Sequence, residues 1–257
     1  MDAAGQPMNA KAPAVVVVED SDEVAGRALA LVLAAERRAI EERGIFTIAL
    51  SGGSTPRRLY ELLAKCDVAS FERWKVFFGD ERWVPADDPA SNYRMAREAL
   101  LDHVAIPPAQ VYPVDTTAGT AEKGAFLYSL TLMRSVPSQS EHYPELDLVL
   151  LGLGADGHTA SLFPGSTALA ARPRDLAVAT FAPSQDAWRV TITAHVINAA
   201  HRVAFLVSGS EKAEALSRLV DGDAADPPPA ALVRGRGDGS VVVIADRDAA
   251  VRLRSSP

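Results

Sequence analysis

Apolar runs rich in β-branched residues alternate with amphipathic stretches along the chain. The runs fall at Ala14–Val18, Ile45–Leu50, Trp74–Gly79, Leu146–Gly152, Leu176–Phe181, Arg189–Thr193, Val203–Ser208 and Val241–Ala245. Several are apolar at almost every position, as strands covered on both faces are, which predicts a mainly parallel sheet. Helical patterns occupy Asp22–Arg43, Pro56–Lys65, Asn92–Asp102, Gly119–Ser135 and Glu211–Val220. Strands alternating with helices predict an α/β protein: a three-layer αβα fold with a Rossmann-like sheet. Two polar, proline-bearing stretches, Pro137–Pro144 and Asp221–Pro229, read as surface loops rather than linkers. The expected organisation is a loose tail over 1–13 and one domain over 14–257.

Composition narrows the function classes. No apolar run approaches the roughly 20 residues needed to cross a bilayer, and the tail lacks the basic start and apolar stretch of a secretory signal. A single cysteine, Cys66, excludes an internal disulfide and suits a reducing cytoplasm. Twenty-six Lys and Arg against 33 Asp and Glu give a net charge of −7 over 257 residues, which disfavours a nucleic-acid partner. An anionic ligand would need a local cluster of cations.

In an open α/β sheet, ligands bind beyond the carboxyl ends of the strands. After Ile45–Leu50 comes Ser51-Gly52-Gly53-Ser54-Thr55-Pro56. Two glycines admit a tight turn and close approach of a ligand, Ser54 or Thr55 can cap, and Pro56 suits a first helical position. Such a helix start offers free N–H groups to a phosphate, although a plain capped turn explains the same residues. After Trp74–Gly79 comes Asp80-Glu81-Arg82, which offers either a proton acceptor with an anion clamp or a surface ion pair.

The densest segment follows Leu146–Gly152. Gly152, Gly154 and Gly157 spell the dinucleotide pattern G-x-G-x-x-G, but Pro164 and Gly165 arrive too early for the full helix that pattern requires. What remains is a glycine loop carrying Asp156 and His158. A histidine whose tautomer is fixed by a carboxylate or carbonyl serves as a general base; alternatively it is bonded within its loop. Arg189 opens one strand. Lys212 stands in the first turn of a helix, where a cation is unfavourable unless it answers an anion. There is no G-x-S-x-G elbow, and His103, His142, His195 and His201 lack metal-ligand spacing.

Taken together, SGGSTP at 51–56, GDERWVP at 79–85, SNYRMAREALL at 91–101, LGLGADGHTASLFPG at 151–165, RVTIT at 189–193 and GSEKA at 209–213 resemble the glucosamine-6-phosphate isomerase/6-phosphogluconolactonase family. The resemblance implies that family's fold and, in its lactonase branch, hydrolysis of 6-phospho-D-glucono-1,5-lactone in the oxidative pentose phosphate pathway. It implies no cofactor and no metal. By the same resemblance His158 activates water, Ser51, Gly52, Gly53, Ser54 and Thr55 receive the phosphate, and Arg82, Arg189 and Lys212 complete the clamp. Asp80 and Asp156 are implied site residues. The sister activity, deamination and isomerisation of glucosamine-6-phosphate, is the alternative; its members carry a carboxylate after the histidine, where this chain reads Thr159-Ala160-Ser161-Leu162-Phe163-Pro164. A non-catalytic sugar-phosphate sensor is a third. The expected partner is a small phosphorylated substrate, with no membrane and no obligate protein partner evident.

Overall fold

The computed structural model describes residues 13–67, 69–138, 143–182, 185–222, 227–237 and 239–254. Six strands form a wholly parallel sheet: β1 (Ala14–Val18), β2 (Phe46–Leu50), β3 (Trp74–Phe78), β5 (Leu148–Leu151), β8 (Val203–Val207) and β9 (Val241–Asp246). Their spatial order is β1-β9-β8-β5-β2-β3.

Side chains alternate across this sheet with the strand period of two. Phe46, Ile48 and Leu50 of β2, with Leu148, Leu150, Ala204 and Leu206, pack on one face against α1 (Ser21–Arg43), α2 (Ser54–Leu63) and α3 (Asn92–Ala99). Ala49, Val149, Leu151, Phe205 and Val207 point the other way, toward α4 (Ala121–Ser135) and α6 (Ala213–Val220). Burial on both faces explains why these strands read as unbroken apolar runs.

α1 shows how local chemistry fixes a boundary. Asp20 accepts the N–H groups of Asp22 and Glu23 at its start, and Gly44 closes its end at φ 75°. Val24, Ala28 and Val32 recur every fourth residue and are completely buried.

The mainly parallel sheet is as the sequence predicts, and a second, smaller sheet accompanies it. Three strands form this separate antiparallel sheet in the order β4-β7-β6, from β4 (Asp80–Arg82), β6 (Ala177–Ala182) and β7 (Ala187–Ile192). Gly79 is the transfer point. Its N–H donates to Leu50 O at 2.8 Å in the large sheet, while its C=O accepts from Ile192 N at 2.9 Å in the small one. A Cβ at Gly79 would stand 3.4 Å from Leu50 O, closer than most such contacts.

Other boundaries also shift. α2 begins at Ser54 with Gly53 as its N-cap, so neither Ser54 nor Thr55 caps it. Arg189 lies within β7 rather than opening a strand. Lys212 ends a 3-10 turn, Ser210–Lys212, that leads into α6. α5 (Ala194–Ala199) and α7 (Arg247–Ala250) complete the set. Tail positions 1–12, loop positions 139–142 with His142, and loop positions 223–226 lie outside the described residues. No helix among the described residues is long and apolar enough to cross a membrane.

Candidate active site

Four adjacent strands deliver one cleft. β2 releases Ser51, Gly52, Gly53, Ser54 and Thr55, β5 releases Gly152, Gly154 and His158, β8 releases Ser208 and Lys212, and β3 leads through Gly79 to Asp80 and Arg82. Arg189 enters from β7 of the small sheet. The cleft measures about 330 Å³. Of the residues expected at the site, Asp156 stands beside the cleft against His158. Gly157 lies behind it at φ 85°, where a side chain would run into Pro228.

The loop after β5 is built to aim one imidazole. Gly154 N donates to His158 O at 2.8 Å, Gly157 N to Gly154 O at 2.9 Å, and Thr159 Oγ1 to Gly152 O at 2.8 Å. His158 Nδ1 lies 2.6 Å from Asp156 Oδ1, and the Phe163 ring packs 4.7 Å from the imidazole, centroid to centroid. A proton on Nδ1 donated to Asp156 leaves the Nε2 lone pair free to accept another. Burial would raise the Asp156 carboxyl, but the backbone N–H and ring of His158 outweigh it and hold the group below its usual range. Asp156 is therefore an anion at neutral pH.

The anion-facing wall combines a bare helix end with converging guanidiniums. Among the described residues no side chain caps α2, and its start at Gly53-Ser54-Thr55 lines the cleft with the positive end of the helix. Arg189 is 5% exposed and donates to the Gln185 amide oxygen. Burial lowers the Arg189 pKa, and the charge of Arg82 lowers it further. An anion between these groups relieves both penalties. Lys212 adds a third cation, tethered loosely at 4.0 Å to Glu211.

Asp80 and Glu81 divide their work. Asp80 is nearly buried, with Oδ2 accepting from Ser161 Oγ at 2.6 Å and Oδ1 from Asn92 Nδ2 at 3.1 Å. Glu81 turns away and accepts from the backbone N–H groups of Arg82 and Asn92 at 2.7 Å each and Tyr93 at 2.8 Å, and from Ser91 Oγ at 3.1 Å. It is a structural carboxylate anchoring α3. Burial raises its pKa against those backbone bonds, which lower it.

Sequence reasoning gave no role to Ser161, Asn92, Phe163 or Gln185. Ser161 and Phe163 lie within the histidine block, at short spacing from His158, and could have been found there. Asn92 lies in the SNYRMAREALL block but its partner Asp80 is on another element, and Gln185, four residues before Arg189, sits in a polar stretch with no pattern that marks it.

A Rossmann-like sheet with a cationic cleft at its carboxyl rim, and a carboxylate-oriented histidine on the wall, defines an α/β enzyme for a small anionic substrate. The family model described as glucosamine-6-phosphate isomerases/6-phosphogluconolactonase matches residues 19–243. The chain belongs to this family. It is 42% identical over 245 residues to a 6-phosphogluconolactonase of Synechocystis sp., covering 95% of this chain and 99% of that one. It is 37% identical to a human 6-phosphogluconolactonase, covering 97% of each. The solved 6-phosphogluconolactonase of Trypanosoma brucei superposes with a TM-score of 0.86 at 33% identity, covering 94% of this chain and 99% of that one.

Proposed function

We propose that this enzyme hydrolyses 6-phospho-D-glucono-1,5-lactone to 6-phospho-D-gluconate, the second step of the oxidative pentose phosphate pathway, with His158 as general base. The observation that carries the reading is the Asp156–His158 pair, 2.6 Å apart, with His158 lining a cleft that also takes in the start of α2 and Arg189. A δ-lactone is an activated ester, so no covalent nucleophile is required. His158 Nε2 takes a proton from the water attacking the lactone carbonyl, Asp156 supports the resulting imidazolium, and the proton passes to the ring oxygen as its bond to the carbonyl carbon breaks. Such a base contributes about 10²- to 10⁴-fold. The phosphate rests on the N–H groups of Gly53 to Thr55 and between Arg189, Arg82 and Lys212, and its binding energy orients the distant carbonyl. Asp80, held by Ser161 and Asn92, faces the sugar between the two ends. The lone cysteine is consistent with work in a reducing cytoplasm.

The test generates the lactone in situ and follows acid release above its spontaneous hydrolysis, with wild type and His158→Ala side by side. Acceleration by wild type and its loss in the variant are expected. No acceleration by wild type overturns the activity, whereas a fully active variant overturns only the role of His158. Ammonia release from glucosamine-6-phosphate, expected to be absent, checks the sister reaction.

A further inference from the structure

Two buried tyrosines repeat one device at the carboxyl ends of neighbouring strands. The Tyr60 hydroxyl accepts from Ser51 N at 2.9 Å and donates to Ser51 O at 2.8 Å. The Tyr128 hydroxyl accepts from Phe78 N at 2.7 Å and donates to Phe78 O at 2.9 Å. Each phenol replaces a strand partner, exchanging both bonds with a single residue as a sheet neighbour would. Burial pushes both phenols far above their ordinary pKa, so each keeps the proton it donates.

The consequences differ between the two sites. The ladder from β2 to β3 ends at the Leu50–Phe78 pair, and that from β2 to β5 ends at Ala49–Val149. Ser51 is the next residue, and among the described residues its backbone N–H and C=O are taken up by Tyr60. Tyr60 itself is fully buried on α2, the helix that the loop opens. The glycine loop is thus clipped back to its own helix. The segment after Phe78 has independent holds, since Asp80–Arg82 pairs in register with β7 and Glu81 binds three further backbone N–H groups.

We propose that Tyr60 is a positioning residue for the phosphate: by gripping both backbone groups of Ser51 it sets where the Ser51–Thr55 loop presents its N–H groups. This rests on the reading of that loop as the phosphate receiver. Tyr128, with the same pair of bonds and the same burial, holds a segment that is fixed by other means and serves as the matched control.

The experiment compares Tyr60→Phe, Tyr128→Phe and Lys212→Ala on the phosphorylated lactone and on unphosphorylated glucono-1,5-lactone, each assayed where it is fully folded. Tyr60→Phe should raise KM for the phosphorylated substrate about tenfold, equivalent to ~1.4 kcal/mol, with kcat and the unphosphorylated reaction little changed. Tyr128→Phe should show no such split. The proposal is overturned if Tyr60→Phe leaves both substrates alone, affects both alike, or is matched by Tyr128→Phe. A phosphate-selective defect in Lys212→Ala without one in Tyr60→Phe removes Tyr60 from the phosphate site. Absence of selectivity in both removes the phosphate reading, and the proposal with it. Should Tyr60→Phe fail to fold, amide exchange in wild type decides: the Ser51 N–H must be protected as strongly as that of Leu50, and ready exchange overturns the clip.

Discussion

His158 is held to Asp156 twice by the same oxygen: Oδ1 lies 2.6 Å from the ring Nδ1 and 3.1 Å from the backbone N of His158. The backbone bond fixes the carboxylate relative to the chain, and the ring bond then fixes the imidazole relative to the carboxylate. Orientation and tautomer are set by a single atom.

Replacing Asp156 with Asn should separate these roles. The amide keeps the shape but cannot support an imidazolium, so kcat is expected to fall by about tenfold or more. An unchanged kcat in the variant, measured in steady-state assays, would show that the carboxylate does not act on the ring.

The proposed phosphate role of Arg189 and Lys212 should be read in binding. Arg189→Ala and Lys212→Ala are expected to raise KM for the phosphorylated lactone by about tenfold or more each, as charge-assisted bonds of roughly 1.5–3 kcal/mol are lost. Unphosphorylated lactone should respond much less. Equal effects on both substrates, in steady-state assays, would place these cations elsewhere in the reaction.

Gly154→Ala tests the histidine loop without touching a titrating group. A Cβ there would lie 2.6 Å from Asp156 Oδ1 and closer still to the His158 ring, so the ring must shift. A displacement near 1 Å at a reacting group can cost about 10²-fold. The expected result is a folded protein by circular dichroism with kcat/KM reduced to about that extent.

Glu81→Gln should act on stability. The carboxylate accepts from three backbone N–H groups and Ser91, whereas an amide has one acceptor oxygen and two donors, leaving at least one buried N–H unpaired. The cost is about 1–3 kcal/mol, measurable by urea unfolding. The folded pKa of Glu81 lies above its ordinary 4.5, so its protonated form favours folding. That contribution is complete below 4.5 and is lost as pH rises through the folded value, because the unfolded chain ionises first. The stability difference between wild type and variant should therefore shrink over that window.

The layer architecture was legible in the sequence because burial on both faces turns each parallel strand into an apolar run. The glycine loops, Asp156, His158 and Lys212 followed from where those runs end. β4 was not legible: Asp80-Glu81-Arg82 is three charged residues, and only pairing with the distant β7 makes them a strand. α5 and α7, of six and four residues, are too short to display a helical period. The grip of Ser161 and Asn92 on Asp80 joins positions 81 and 12 residues apart, which no local pattern reports. Glu81 was readable as a charge but not as an anchor, since three of its four partners are backbone N–H groups.

The order β8-β5-β2-β3 has a consequence for the spacing of the site. Neighbouring strands in a sheet are spaced by ~4.8 Å, so loops leaving four consecutive strands are set across about 14 Å by the hydrogen-bond ladder itself. Lys212, His158, the Ser51–Thr55 loop and Asp80 hang from that fixed pitch. The sheet is thus a gauge: the pitch of the strands, more than the course of the loops, sets how far apart these groups leave the sheet.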